Sequence, residues 1–201
     1  MAISKIGTDG IDQTSSQQIG GISVGKGSGN VATNTAVGVS ALAANTTGAY
    51  NTAVGATALD VNTTGNYNQA FGYAALGANT TGEFNSVIGM NAMVTNTTGS
   101  SNVAVGHDSL GLNTTASNNT AIGVNALTTN STTSQNTAVG YEALKVNIAS
   151  SNTAVGMAVL TANTTGSVNS GFGNLALTTN STGANNTAFG GMALRNNSTG
   201  S

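Results

Sequence analysis

The chain has 201 residues, of which only 5% are charged and 4% are aromatic, and it contains no Cys, Trp or Pro. The lack of Cys excludes disulfides and thiolate-held metals, and four Lys and Arg against six Asp and Glu leave no basic surface for nucleic acid. No stretch approaches the roughly 20 apolar residues of a membrane-spanning helix, so membrane insertion is not expected.

Residues 1–33 precede the regular part of the chain. They begin with "MAISKIGTDGID", which has no apolar run of signal-peptide length, so Sec-type export is not indicated. The stretch "GGISVGKGSGN" at 20–30 reads as a degenerate first coil of the repeat that follows. We interpret 1–33 as an N-terminal attachment segment or cap, because the end of a repeat stack needs cover. A disordered tail over 1–20 fits the sequence equally well.

Residues 34–201 are a tandem repeat with the consensus N-T-A-V-G-x-x-A-L-x-x-N-T-T-G-x-x, and positions are numbered below from its first Asn. Eight of the nine spacings between opening Asn residues are seventeen, and the exception is the sixteen from Asn136 to Asn152. Two Gly per unit and abundant Asn, Thr and Ser disfavour a helix, whereas short apolar stretches between turn residues favour short strands. We therefore predict an all-β fold, a parallel β-solenoid (β-roll) of about ten 17-residue coils, with strands at "TAVG" and "TAL".

Identical positions of such a roll stack into columns. The fourth position holds Val, Ile or Phe and the ninth holds Leu, or Met93 in one unit, so we predict that these two columns fill the coil. The third and eighth positions are mostly Ala, and we expect one of these two columns to lie between copies of the chain; the alternative is that small Ala side chains are tolerated in water. Asn at the twelfth position has no exception, which predicts a corner with stacked amides.

The units "NTAVGVSAL" and "NTAIGVNAL", separated by "NTTG" corners, resemble the repeats of bacteriophage tail-fibre proteins and, more distantly, the head repeats of trimeric autotransporter adhesins. The first residues also resemble those of fibre proteins from phages of marine and freshwater bacteria. The resemblance implies a homotrimer assembled in the host cytoplasm, located in the virion, joined to other virion proteins through its N-terminal segment and able to contact host surface glycans. Because the chain ends inside a unit, we expect either a fragment or a chain processed at its C-terminus.

No catalytic, cofactor or metal site is predicted. His107 lies beside Asp108 at variable positions, and no paired carboxylates occur in the repeat. Exposed aromatic residues are candidates for stacking on sugars, although they could equally fill corners: Tyr50, Tyr67, Tyr73, Phe84 and Tyr141. The Asn-x-Ser/Thr sequons are candidate N-glycosylation sites: Asn45, Asn62, Asn79, Asn96, Asn113, Asn130, Asn163, Asn180 and Asn197.

The repeat predicts a non-enzymatic structural shaft, and the resemblance to tail fibres implies that it gives rigid reach and multivalent attachment to a host surface. Two alternatives remain open from the sequence. The first is an ice-binding β-solenoid, in which Thr ladders order water: Thr46, Thr63, Thr80, Thr97 and Thr114. The second is a glycosylated extracellular filament.

Overall fold

The computed structural model describes residues 17–19 and 22–201, which contain one twelve-stranded sheet with its strands in chain order. Most of the predicted attachment segment, residues 1–16, therefore lies outside the described residues. The strands are β1 Gln17–Ile19, β2 Ile22–Gly25, β3 Thr35–Val37, β4 Thr52–Val54, β5 Gln69–Phe71, β6 Ser86–Ile88, β7 Val103–Val105, β8 Thr120–Ile122, β9 Thr137–Val139, β10 Thr153–Val155, β11 Ser170–Phe172 and β12 Thr187–Phe189. A short 3-10 turn, Ser28–Asn30, precedes the first coil.

Each repeat forms one coil of a parallel β-solenoid. Strands β3 to β12 all pair in parallel, and equivalent residues are aligned, as in Ala36 opposite Ala53. The predicted all-β, parallel solenoid of 17-residue coils is therefore confirmed. The register survives the sixteen-residue spacing, because β9 and β10 still place Ala138 opposite Ala154.

The structure differs from the sequence prediction in having one strand per coil. The "TAL" stretch forms a turn instead of a second strand. Its backbone nevertheless bonds to both neighbouring coils: Thr57 N–H donates to Val39 O in the preceding coil at 2.8 Å, and Leu59 N–H donates to Ala75 O in the following coil at 3.2 Å. The stack is thus held by backbone hydrogen bonds on more than one side of the coil.

The interior of the roll is a narrow column of small and medium apolar side chains. The third, eighth and ninth positions are buried through almost the whole stack, as Ala121, Ala126 and Leu127 illustrate with no exposed surface. The predicted inward direction of the ninth position is confirmed. Two compensating substitutions show how little room there is: Gly171 replaces the usual Ala at a third position, and a Cβ there would lie 2.6 Å from Cγ1 of Val159, which replaces the usual Ala at an eighth position.

The remaining interior is filled by two columns of buried Asn amides. At the first position, Asn51 N–H donates to Asn34 Oδ1 at 2.8 Å, and Asn34 Nδ2 donates to Gly48 O at 2.8 Å. At the twelfth position, Asn62 Nδ2 donates to Asn45 Oδ1 at 3.0 Å, and Asn45 Nδ2 reaches the same Gly48 O at 3.0 Å. Because a buried amide needs a hydrogen-bond partner, the first-position ladder fixes each coil against the next, and the twelfth-position ladder does so for most of the coils.

The chain closes into so short a coil by using left-handed backbone angles. The seventh, ninth and seventeenth positions have positive φ angles, including Leu127 at 51° and Tyr67 at 57°. This conformation is unusual for residues other than Gly, Asn and Asp, and Leu is a poor sequence signal for it. At the fifth position Gly is required twice over: Gly72 has φ of 138°, and a Cβ on it would lie 2.5 Å from Gly89 O.

The N-terminal end of the roll is covered by antiparallel chain. Strand β2 pairs antiparallel with β3, and Gly38 N–H donates to Ser23 O at 2.8 Å. Ser28 N–H donates to Leu42 O at 3.0 Å, so the Leu42 carbonyl of the first coil also has a hydrogen-bond partner in the cap. A degenerate first coil would run parallel to β3; residues 22–25 instead run antiparallel and act as a cap on the sheet edge.

Candidate functional site: an exposed apolar stripe

An apolar stripe runs along the outside of the roll, formed by the fourth and sixth positions on either side of the invariant Gly. Its fourth-position members are Val37, Val54, Phe71, Ile88, Val105, Ile122, Val139, Val155, Phe172 and Phe189, and its sixth-position members are Val39, Ala56, Tyr73, Met90, His107, Val124, Tyr141, Met157, Asn174 and Gly191. None of these side chains is buried, and ten of them are exposed large apolar groups. We refer to this surface as the stripe.

The stripe corrects the prediction that the fourth position fills the coil. Successive residues of a strand point to opposite faces, so with Ala121 buried, Thr120 and Ile122 must both point outward. The small third-position Ala is the side chain that fits beside the ninth-position Leu in this narrow interior. The larger, more hydrophobic column is therefore on the surface.

The same finding corrects the prediction about Ala. Both Ala columns lie inside the coil of a single chain, as Ala53 and Ala58 show with no exposed surface. Neither column is free to contact another copy. The sequence did contain the signal for the stripe, because V-G-V, F-G-Y and I-G-M place apolar residues two apart on both sides of the Gly.

Charge is almost absent from the stripe. His107 is its only titratable side chain besides the tyrosines, and His107 Nδ1 lies 3.2 Å from Asp108 Oδ2. The other charged pair, Lys145 Nζ with Glu142 Oε1 at 2.7 Å, occupies the tenth and seventh positions of its coil. That hydrogen bond lowers the pKa of Glu142 and raises the pKa of Lys145.

The five aromatic residues predicted to stack on sugars lie on two different surfaces. Tyr73 and Tyr141 belong to the stripe. Tyr50, Tyr67 and Phe84 occupy the seventeenth position of consecutive coils and form a ladder in which neighbouring ring centroids are 4.9 Å apart and the ring planes are nearly parallel. Both faces of Tyr67 are covered by its neighbours, so the ladder offers its outer edges and the faces of its two end rings.

The sequons of the twelfth position are inaccessible in the folded roll. All of them except Asn197 are buried, and their amide nitrogens donate hydrogen bonds inside the coil, as Asn79 Nδ2 does to Gly82 O at 3.0 Å. A glycan on these residues would have to be attached before the chain folds. Glycosylation at the nine sequons stays a prediction, and burial weighs against it.

The thirteenth-position Thr residues, on which the ice-binding alternative depends, have their hydroxyls engaged. Thr63 Oγ1 donates to Thr80 O at 3.0 Å, and Thr97 Oγ1 donates to Thr114 O at 3.0 Å. A hydroxyl committed to the next coil cannot donate that proton to an ordered water lattice. This geometry weighs against an ice-binding surface at these corners.

Within the part of the chain that the structure describes, no group of three or more His, Asp or Glu side chains is placed to hold a metal ion. No helix in that part is long and apolar enough to cross a membrane. An open depression of about 320 Å³ lies at the N-terminal end of the roll, and its lining consists of small residues such as Ser28, Ser40 and Ala43. These side chains offer neither charge nor a large apolar contact to a ligand.

No protein-family model, no curated protein and no solved structure matches this chain. The likeness of its repeats to those of tail fibres therefore stays a resemblance, and function has to be argued from the roll itself.

Proposed function

We propose that the chain is a rigid, non-enzymatic shaft of a virion appendage, in the manner of a phage tail fibre. The observation that carries the proposal is the coil-to-coil bonding between residues 34 and 201. Backbone hydrogen bonds and the first-position amide column join each coil to the next, and the twelfth-position column joins the coils on both sides of one break near Asn130. Ten coils at the strand spacing of ~4.8 Å give a rod about 45 Å long. Such a stack holds its two ends at a fixed separation and leaves its outer surface free for contacts.

Attachment to a host would come from many weak contacts repeated along the rod, since linked weak sites bind far more tightly than one alone. The aromatic ladder Tyr50–Tyr67–Phe84 is the surface that best suits a host glycan, because it is half exposed and its end ring Phe84 is followed in the same column by the small Ser101. A sugar ring could stack on that uncovered face of Phe84. Residues 1–33 would join the shaft to other virion proteins.

The location is tested by immunogold electron microscopy of virus particles from a lysate that contains this chain. Antibodies against the purified protein should label the tail appendages. Labelling of cell-surface filaments, or of no particle, would contradict the virion assignment.

The contact surface is tested by binding of the labelled full chain to host cells and to their purified surface polysaccharide. Phe84→Ala should reduce binding several-fold at equal protein concentration. Val168→Ala is a matched control, because Val168 occupies the same column and is 54% exposed, compared with 55% for Phe84. Equal binding by both variants and the parent would remove the ladder from the contact surface while leaving the shaft proposal standing.

A further inference from the structure

The stripe exposes a larger apolar area to water than the surface of a monomeric protein ordinarily does. Its ten exposed large side chains are between 38% and 84% exposed, and four of them are Phe or Tyr. Because a Phe or Tyr side chain carries about 150–250 Å² and Val, Ile and Met carry somewhat less, the ten present on the order of 1,000 Å² of accessible area. The largest apolar patch on a typical monomer is about 300–600 Å². A standard protein interface covers about 800 Å² on each partner, so the stripe is large enough to be one.

The pattern of the stripe indicates what covers it. The stripe repeats with every coil, so a partner with the same repeat can contact it at every level, whereas an unrelated globular surface would match only a few. Because charged residues of the repeats lie off the stripe, at Asp60, Glu83, Asp108, Glu142, Lys145 and Arg195, two identical stripes do not repel each other. A second copy of the chain satisfies both conditions.

The sizes of the side chains favour one alignment of the copies. In the four C-terminal coils the fourth and sixth positions of the same level have opposite bulk: Val139 with Tyr141, Val155 with Met157, Phe172 with Asn174 and Phe189 with Gly191. If the fourth-position column of one copy packs on the sixth-position column of its neighbour in register, each large side chain of these four coils meets a small one. An antiparallel arrangement would lose this match.

We propose that the stripe is a self-association surface, on which parallel copies of this chain pack in register with fourth positions against sixth positions. The invariant Gly between the two columns has no side chain, which leaves room for a side chain of the neighbouring copy. Tyr73 and Tyr141 are then interface residues and not glycan contacts. The proposal does not depend on a location in the virion, and it replaces the two Ala columns with the stripe as the contact between copies.

The first test is the molar mass of the full chain by light scattering at micromolar concentration. The parent should have a mass of two or three times 19.5 kDa, and the tail-fibre resemblance predicts three. Ile88→Arg in the stripe should reduce the mass to that of one chain. Leu112→Arg should leave it unchanged, because Leu112 is 50% exposed, compared with 51% for Ile88, but lies outside the stripe. A monomeric parent, or equal masses for both variants, would overturn the proposal.

The second test fixes the alignment and does not depend on whether Ile88→Arg folds. The chain has no Cys, so a single Cys substitution introduces its only thiol. A disulfide between two such variants then shows that the two substituted positions lie close together in the assembly. Val155→Cys and Met157→Cys chains, refolded together and oxidised, should form a mixed disulfide, because facing side chains come within the roughly 4–7 Å that Cα atoms of a disulfide require. Val155→Cys with Leu112→Cys should form none. Mixed disulfides between Val54→Cys and Met157→Cys, and not between the first pair, would exclude the parallel in-register arrangement.

Discussion

The twelfth-position amide ladder is continuous in the N-terminal half of the rod and broken near the middle. From Asn62 to Asn113 every amide donates to its predecessor, ending with Asn113 Nδ2 to Asn96 Oδ1 at 2.7 Å. The ladder is interrupted after Asn113, and the Oδ1 atom of Asn113 is therefore buried without a hydrogen-bond partner. Asn130 instead donates to Thr133 O at 2.8 Å and accepts a short hydrogen bond from the Thr133 hydroxyl.

The cause of the break is the fifteenth position. In the continuous half it is Gly, or Ala116 in one coil, and a Cβ on Gly82 would lie 2.5 Å from Asn79 Oδ1. Thr133 places a larger side chain at this position and turns the adjacent amide away from the ladder. The difference shows that the small residue of the "NTTG" corner serves the buried amides through space and not through a special backbone angle, because Gly82 does not have a positive φ.

The largest expected effect concerns the leucine column, which has no break where the amide ladder does. Leu110, Leu127 and Leu144 are all fully buried. Leu127→Asp should cost about 4 kcal/mol or more in the free energy of unfolding, because it removes apolar packing and buries an unpaired charge. Urea denaturation at fixed protein concentration measures it. Leu112→Asp, on an exposed side chain, is the control, and a Leu127→Asp variant that unfolds with the parent would show that the column does not hold the broken region.

The next effect concerns the fifth-position Gly, and it separates the lack of space for a Cβ from the requirement for a positive φ angle. Gly72→Ala should cost about 3 kcal/mol, since it combines a φ of 138° with a Cβ 2.5 Å from Gly89 O. Gly190 in the last coil has a φ of 125° but nothing within 4 Å of its Cβ site. Gly190→Ala should therefore cost only about 1 kcal/mol. Equal losses in thermal unfolding would mean that the approach of neighbouring coils does not matter.

A smaller effect tests the ladder itself. Asn79 donates to Asn62 Oδ1 at 2.8 Å and accepts from Asn96 Nδ2 at 2.8 Å. Asn79→Ala leaves a buried acceptor unpaired and should cost about 2–3 kcal/mol. Asn130→Ala should cost about 1 kcal/mol, because Asn130 exchanges no amide bond with its neighbours in the column. If the two losses in urea denaturation are the same, the continuous ladder is no stronger than the broken one.

The sequence predicted what repetition alone determines. The period, the parallel in-register stack, the buried Leu column and the stacked Asn amides all follow from columns of identical residues. The direction of the fourth position did not follow. Hydrophobicity favours a large apolar side chain such as Ile122 inside the coil, whereas in most coils the third position beside the Leu has room only for a residue as small as Ala121.

The left-handed corners could not be predicted either. Leu127 and Tyr67 adopt positive φ angles because the closed coil and its hydrogen bonds to neighbouring coils over-determine them, and not because of any local preference. The same tertiary constraint turned the expected second strand into a turn. For the candidate site, the aromatic residues were predicted, but their division between the stripe and the ladder depends on corner geometry that composition does not encode.

The smallest expected effect is a gain in stability, from repair of the ladder. Thr133→Ala removes the hydroxyl that holds Asn130 Oδ1 and leaves a side chain that the site tolerates. Ala116 shows this tolerance, because in its coil Asn113 Nδ2 still donates to Asn96 Oδ1 at 2.7 Å and to Ala116 O at 3.1 Å. Asn130 should then turn to donate to the unpaired Asn113 Oδ1.

Asn113 Oδ1 gains a donor while Asn130 Oδ1 loses the Thr133 hydroxyl, and Asn147 Nδ2 of the next coil is bonded to Ala149 O at 2.6 Å. The net gain in the free energy of unfolding should therefore be at most about 1 kcal/mol, which corresponds to a rise of at most about 2–4 °C in Tm for a chain of this size. Thr132→Ala, one residue earlier on an exposed side chain, is the matched control and should leave Tm unchanged. A double-mutant cycle gives the sharper result: in the Thr133→Ala background, Asn130→Ala should become more costly than in the parent, because Asn130 then supplies the donor to the buried Asn113 Oδ1. If the cost of Asn130→Ala is the same in the parent and in the Thr133→Ala background, then the break is caused by something other than the side chain at the fifteenth position.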